Sequence, residues 1–402
     1  MKKKKYVVVL GDGMADEPIE ALSGKTPLEY ADTPTLDRLS KVSEIGLVHT
    51  IPEGMKPGSD TANLSVLGYD PKKYYSGRSP LEALSIGVPM KDTDVALRCN
   101  IVTLSDGDEP FEEKTIIDHS SGEISTEECS VLLEAVKKEL ESETYQFYVG
   151  TSYRHCLIWN QGSVIELVQP HDVLGQVIGQ HLPDDEQLLF MMKRSYEILA
   201  EHPINIERKK KGLNPANCCW FWGAGTKPAL SSFEEKNGLK GMMVSAVDLL
   251  KGIAVGAGMG VAHVEGANGG LHTNYEGKVQ AALEALRGEY DFVYIHVEAP
   301  DEMGHQGSVK KKVQAIEYLD QRVIGPLVEA LDKEDVNYRL LVLPDHPTPI
   351  RVRTHTSGSV PYLLFDNSAP KSETWNYNEK EAEVGSYIAT GHTIIDRLLE
   401  KE

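Results

Sequence analysis

Asp301 and His305 stand four residues apart in DEMGH, a spacing that sets both on one face of a helical turn. His355 follows in THTSG, Asp345 and His346 are adjacent in PDHP, and Asp12 lies in GDG near the amino end. Mixed carboxylate and imidazole donors suit Mn²⁺ or Zn²⁺ better than Ca²⁺ or Mg²⁺ alone. Three Asp and three His are enough for two ions with positions left open. A DxxxH pair by itself is a weak signal, and any one of the six residues is more often a surface polar group. The ordered set D…DxxxH…DH…H, each member after an apolar run, is what points to a metal centre.

Such a centre needs a nucleophile, and PGSDTANLSVLGYD offers Ser59. It follows Pro57-Gly58 and opens a helix-like run, so its hydroxyl is expected at a helix N-terminus, where backbone N–H groups favour anions. Alone, Ser59 would be read as a helix cap. Beside metals the reading changes, because coordination lowers the pKa of a hydroxyl that is otherwise a poor nucleophile.

Three largely apolar runs, the first rich in β-branched residues, must carry these residues. Tyr6–Leu10 breaks at Gly11-Asp12-Gly13, Phe292–Val297 runs into EAPDEMGH, and Arg339–Leu343 ends in PDHP. Each reads as a strand buried on both faces. Between the second and third, Val313, Ile316, Val323, Ile324, Leu327 and Leu331 recur at helical spacing in a pattern beginning near Ser308. Strand, helix, strand with polar residues at the strand ends predicts a parallel sheet with its site beyond the carboxyl ends. From Lys91 to Trp222 the character changes: short alternating runs (Val95–Leu104, Gln146–Val149, Cys156–Trp159, Val164–Val168) mix with a charged helical stretch, Glu127–Glu143. The prediction is an α/β domain over residues 1–90 and 225–402, with an inserted α+β domain over 91–224 and linkers near Gly87–Asp92 and Gly223–Pro228.

Two glycine-rich segments fail as nucleotide motifs. Gly24-Lys25-Thr26 has Ile19 where a P-loop needs glycine, and VGAGMGVAHVEGANGG has Val261 where GxGxxG needs its third. Thr273 with Glu276 fits a capping box for the next helix.

Composition narrows the partners. The 402 residues include 61 Asp+Glu against 41 Lys+Arg, a formal charge of −20 that argues against nucleic acid or an anionic membrane. An anionic substrate must therefore be held by locally gathered cations. Five cysteines, with no CxxC pair and with Cys218 and Cys219 adjacent, suggest a reducing compartment. The basic start Met1–Lys5 precedes only five apolar residues, too few for a secretory leader, so a cytoplasmic protein is expected. No coiled-coil pattern or other partner signature stands out, and the sequence assigns no oligomeric state.

In order and context Asp12, Ser59, Asp301, His305, Asp345, His346 and His355 resemble the site of the alkaline phosphatase superfamily. Within it the chain resembles the cofactor-independent phosphoglycerate mutases of the shorter, archaeal type. GDGMADEPIEALSGKTPLEYADTPTLDRL, PGSDTANLSVLGYDPKKYYSGRSPLEAL, DEMGH, LPDHPTP and THTSGSVPY carry the likeness, which runs through both ends and more loosely through the middle.

The resemblance implies an alkaline-phosphatase-like, mostly parallel sheet with helices on both faces. It also implies two divalent ions, Mn²⁺ foremost with Zn²⁺, Co²⁺ and Mg²⁺ as alternatives, and no bisphosphoglycerate. Asp301, His305 and His355 would hold one ion; Asp12, Ser59, Asp345 and His346 the other. Such enzymes move the phosphoryl group of 3-phosphoglycerate onto the serine, turn the glycerate, and return the group to the other hydroxyl, with the insert closing over the site against water. Arg154, His155, Arg98 and Lys251 are the candidates for gripping the small phosphorylated hydroxy acid; His49, His119, His171 and His181 are given no role. Three rivals stand beside the mutase: a homoserine kinase-like phosphotransferase, a phosphatase on the same site, and a degenerate binding homologue, which would be expected to have lost a ligand.

Overall fold

The structure, a computed structural model, describes residues 3–372 and 375–401. Among them the strands run, in chain order, β1 (Lys5–Gly11), β2 (Glu44–Val48), β3 (Val95–Leu104), β4 (Ile116–Asp118), β5 (Tyr145–Thr151), β6 (Arg154–Trp159), β7 (Cys218–Thr226), β8 (Gly241–Val244), β9 (Gly260–Val261), β10 (Phe292–Val297), β11 (Tyr338–Leu343), β12 (Val360–Asp366) and β13 (Ser386–Ile388). The chain divides into two compact units, Met1–Tyr75 with Leu230–Glu402, and Ser76–Ala229.

The larger unit is built on an eight-stranded sheet of order β13-β2-β12-β11-β1-β10-β8-β9. β11, β1, β10, β8 and β9 are mutually parallel, while β12 runs antiparallel to both β11 and β2. Val7, Val8, Val9 and Leu10 are all fully buried, so both faces of β1 are covered, as an unbroken apolar run demands. The three runs chosen from sequence are the three central strands. Their shared direction brings Asp12, Asp301 and Asp345 to one edge.

The helix after Ser308 forms in three parts. Ser308 caps Val309–Leu319, a π-helical segment spans Asp320–Ile324, and an α-helix resumes at Gly325–Lys333. Pro326 has no N–H for the carbonyl four residues back, and the wider turn ahead of it absorbs that mismatch. Buried Asp320 uses the irregularity, accepting the backbone N–H groups of Thr35 and Leu36 at 3.1 and 2.7 Å. The helix after Thr273 is capped one residue later than the capping box predicts: Asn274 accepts from Gly277 N–H, and Thr273 Oγ1 instead accepts from Asn268 N–H.

The smaller unit carries an antiparallel sheet of order β4-β3-β6-β5, with β7 on the other side of β3. Helices Thr126–Leu140 and Glu186–Ala200 contribute Leu132, Val136, Leu188 and Met192 to its core. All five cysteines are free and buried here. Its limits differ from those read from sequence. Helix Arg78–Ser85, expected in the larger domain, packs on β3 and β7, and the presumed linker at Gly223 lies inside β7. Among the described residues Val164–Val168 pairs with no strand; three of its five residues are only partly buried and two are exposed, so alternation there marks an extended loop.

Candidate metal centre and active site

Each ligand candidate follows a strand of the larger unit. Asp12 stands just after β1, Asp345 and His346 after β11, and Asp301 and His305 on the helix Ala299–His305 that β10 feeds. Gly13 makes the close approach feasible: its φ of +58° favours glycine, and a Cβ there would run into the Asp301 carboxylate and the Thr348 hydroxyl.

Asp12, Asp345 and His346 each offer a ligand atom within 4.8 Å of the others, and so do Asp301, His346 and His355. His305 joins the second group, its Nε2 lying 3.2 Å from Asp301 Oδ2 and 3.0 Å from His355 Nε2. His346, assigned from the resemblance to a single ion, thus reaches both groups. Ser59 is the first residue of helix Ser59–Val66, with Gly58 in the capping position. Its hydroxyl donates to Asp12 Oδ2 at 3.3 Å and lies 3.2 Å from His346 Nε2.

The hydrogen bonds around the cluster set which atoms face inward. His305 Nδ1 lies 2.9 Å from the Arg353 carbonyl and donates to it, so Nε2, which shares its proton with Asp301 at 3.2 Å, is the nitrogen left to face an ion once that proton is given up. The Thr348 hydroxyl donates to Asp301 at 2.5 Å, which leaves its oxygen to accept from His346 Nδ1 at 3.3 Å and bares His346 Nε2 as well. Asp345 Oδ1 accepts the N–H groups of Gly13 and His346, and its Oδ2 accepts Asn63 Nδ2. Asp12 Oδ1 is buried with no hydrogen-bond partner.

Three carboxylates, bare imidazole nitrogens and an orphaned oxygen are a set that a divalent cation satisfies. The protein's own electrostatics agree. Burial, with Asp345 and Asp301 alongside, pushes the Asp12 pKa well up, and the Asp301 carboxylate draws the His305 pKa up to about 9.

The substrate candidates fare differently. Arg154 is exposed on β6, its guanidinium 5.2 Å from the Tyr153 ring, with no acidic partner among the described residues. Lys251 pairs with Asp248 one helical turn away, at 3.2 Å. The fork of Arg98 is taken by both carboxylate oxygens of Glu82, and its plane lies 4.4 Å from the Trp222 ring. His155 is buried: Nδ1 accepts from Gly150 N–H at 3.1 Å and Nε2 faces Cys129 Sγ at 3.1 Å. With both ring nitrogens engaged, His155 is a core residue and not a substrate group.

Sequence reasoning passed over His296, Asn63 and Thr348. His296 is the one polar side chain near the end of FVYIHV, and its Nε2 lies 2.8 Å from Asp12 Oδ2. Asn63 sits one helical turn after Ser59, bonded to the Ser59 carbonyl, Asp345 and the Tyr294 hydroxyl. A polar residue inside an apolar strand, and another at i+4 from the serine, were the available signals.

Parallel strands that end in aspartate and histidine around a serine at a helix start make the kind of site in which divalent cations and a nucleophilic hydroxyl can act on a phosphate. A family model described as "2,3-bisphosphoglycerate-independent phosphoglycerate mutase" matches residues 40–205, and one described as "Type I phosphodiesterase / nucleotide pyrophosphatase" matches 176–348. Proteins named 2,3-bisphosphoglycerate-independent phosphoglycerate mutase from Methanosarcina barkeri and Methanothrix thermoacetophila are 47% and 45% identical to this chain. They align over 95% and 98% of it, and over 96% and 99% of their own lengths. The solved cofactor-independent phosphoglycerate mutase of Thermoplasma acidophilum superposes with a TM-score of 0.68 at 27% identity, covering 100% of this chain and 99% of its own. A solved Pyrococcus horikoshii protein reaches 0.83 at 31% identity over the same shares. The chain belongs to the 2,3-bisphosphoglycerate-independent phosphoglycerate mutase family, whose members are isomerases. Among the described residues no helix is long and apolar enough to cross a membrane.

Proposed function

We propose that the chain interconverts 3-phosphoglycerate and 2-phosphoglycerate through a phosphoserine on Ser59, with two divalent cations held by Asp12, Ser59, Asp301, His305, Asp345, His346 and His355. The observation that carries this is the position of Ser59 Oγ between Asp12 Oδ2 and His346 Nε2. Bound there, the cations supply charge neutralisation for the phosphoryl oxygens and lower the pKa of the serine hydroxyl. Ser59 Oγ attacks phosphorus, one glycerate oxygen leaves with the proton the serine gives up, and the neighbouring hydroxyl later takes the group back as Ser59 regains its proton. Phosphoryl transfer of this kind is mostly positioning and electrostatic stabilisation. Asn63 ties the serine's carbonyl to Asp345 and so fixes nucleophile and ligand together.

For the substrate carboxylate or phosphate we propose Arg154, since a guanidinium with no acidic partner among the described residues is free to take either in two parallel bonds, whereas Lys251 and Arg98 already pair with Asp248 and Glu82. The names of the relatives favour glycerate over homoserine as acceptor. Mn²⁺ is the ion chosen for assay, since mixed imidazole and carboxylate donors suit it. The test couples 3-phosphoglycerate turnover to enolase with Mn²⁺ and no bisphosphoglycerate. Wild-type protein should turn over, and Ser59→Ala should lose at least about 1,000-fold while keeping its fold. Wild-type-like activity in Ser59→Ala would remove the serine from the mechanism.

A further inference from the structure

Behind Asp12 runs a line of buried groups that touches no reacting atom. His296 is fully buried in β10, its Nε2 2.8 Å from Asp12 Oδ2 and its Nδ1 3.2 Å from Ser245 Oγ. The backbone N–H of Val247 donates to that same serine oxygen at 3.1 Å. A carboxylate oxygen accepts, so in the neutral ring the proton lies at Nε2 toward Asp12, and the serine hydroxyl, which takes the Val247 N–H on its oxygen, donates to His296 Nδ1. An imidazole that accepts at Nδ1 carries its proton at Nε2 and donates there. The backbone at this point is pinned too, because buried Lys278 Nζ donates to the His296 carbonyl at 2.7 Å. Beyond the imidazole, Asp12 Oδ1 is buried with no hydrogen-bond partner and lies 3.5 Å from His346 Nε2.

We infer that His296, held by Ser245 in the neutral form protonated at Nε2, is a positioning residue for Asp12: it occupies Oδ2 and presents Oδ1 as the single ligand atom. A neutral donor orients the carboxylate without cancelling its charge, whereas a cationic side chain in the same place would compete with the metal. Groups one step behind a ligand commonly set its orientation and its affinity for the ion. The inference rests on the ligand set proposed above.

The test titrates Mn²⁺ alone into metal-stripped full-length protein, by calorimetry with electron paramagnetic resonance counting the free ion. Wild-type protein should take up two ions; fewer than two would overturn the ligand set itself and not the role of His296. Given two, His296→Phe should weaken one ion by about 10–100-fold and leave the other unchanged, and His296→Gln, whose amide N–H can still donate, should recover most of the loss. Ser245→Ala should weaken the same ion by a smaller factor. Unchanged affinity in His296→Phe, equal weakening of both ions, or a Gln variant no better than Phe would each overturn the inference. Should His296→Phe fail to fold by circular dichroism, Ser245→Ala decides: unchanged affinity there overturns it.

Discussion

Asp301 gathers two imidazoles onto one carboxylate, His305 on Oδ2 at 3.2 Å and His355 on Oδ1 at 3.4 Å. Without a cation the two Nε2 atoms stand 3.0 Å apart, and Asp301 holds His305 protonated to well above neutral pH. His305→Ala should therefore release one ion and keep the other, dropping metal content from two per chain to one by elemental analysis. An unchanged count would refute the ligand. The sequence singles these residues out because they fall in the segments that follow apolar runs. His296 was not legible, because it sits inside such a run, where a polar side chain reads as a blemish. His155 was misread for a reason the sequence held: Arg154 and His155 are neighbours in one strand and so point to opposite faces. Only one of them could face a substrate, and the structure exposes Arg154.

At the scale of elements, β6 and the helix Thr126–Leu140 trap His155 between Gly150 and Cys129. Burial pushes its pKa down to about 4 from the ordinary 6.5. Below pH 6.5 the unfolded chain takes up a proton that the folded one refuses, so this group's contribution is intact above 6.5 and is lost as pH falls toward 4. The loss amounts to about 3 kcal/mol at pH 4. His155→Phe should flatten the acid limb of stability between pH 6.5 and 4, read by denaturant unfolding of the full chain; an unchanged slope would mean the imidazole is not held neutral. The three central strands were legible from their apolar runs, which only a doubly covered strand can carry. The π-helical break was hidden, since Val323 and Ile324 keep the period through it and only Pro326 hints at an interruption.

Across the whole molecule, every proposed ligand belongs to the unit formed by residues 1–75 and 230–402, and that unit has its own core. Cations that bind only the folded state stabilise by mass action, about 2.7 kcal/mol at a hundredfold excess over Kd. Chelation should accordingly lower hydrogen-exchange protection in β1, β10 and β11 and leave β3 and β7 of the other unit unchanged; equal loss in both would contradict the assignment. The limits of the inserted unit were less legible than its existence. Helix Arg78–Ser85 precedes the change in composition, and what places it is packing on β3 and β7, which no local signal reports.

The pairing of β1 has a consequence for how the protein is made. Tyr6 pairs with Phe292 on one side and with Arg339 on the other, so β1 leaves the ribosome long before either of its neighbours. The inserted unit is one continuous stretch and needs nothing from either end to close its sheet, whereas the larger sheet must wait for β11 while an apolar β1 stays unpaired. Long-range pairing of this kind is slow and leaves such a segment open to aggregation. The proposed cations would find no complete cradle on a growing chain until late, because Asp12 emerges long before Asp345, His346 and His355.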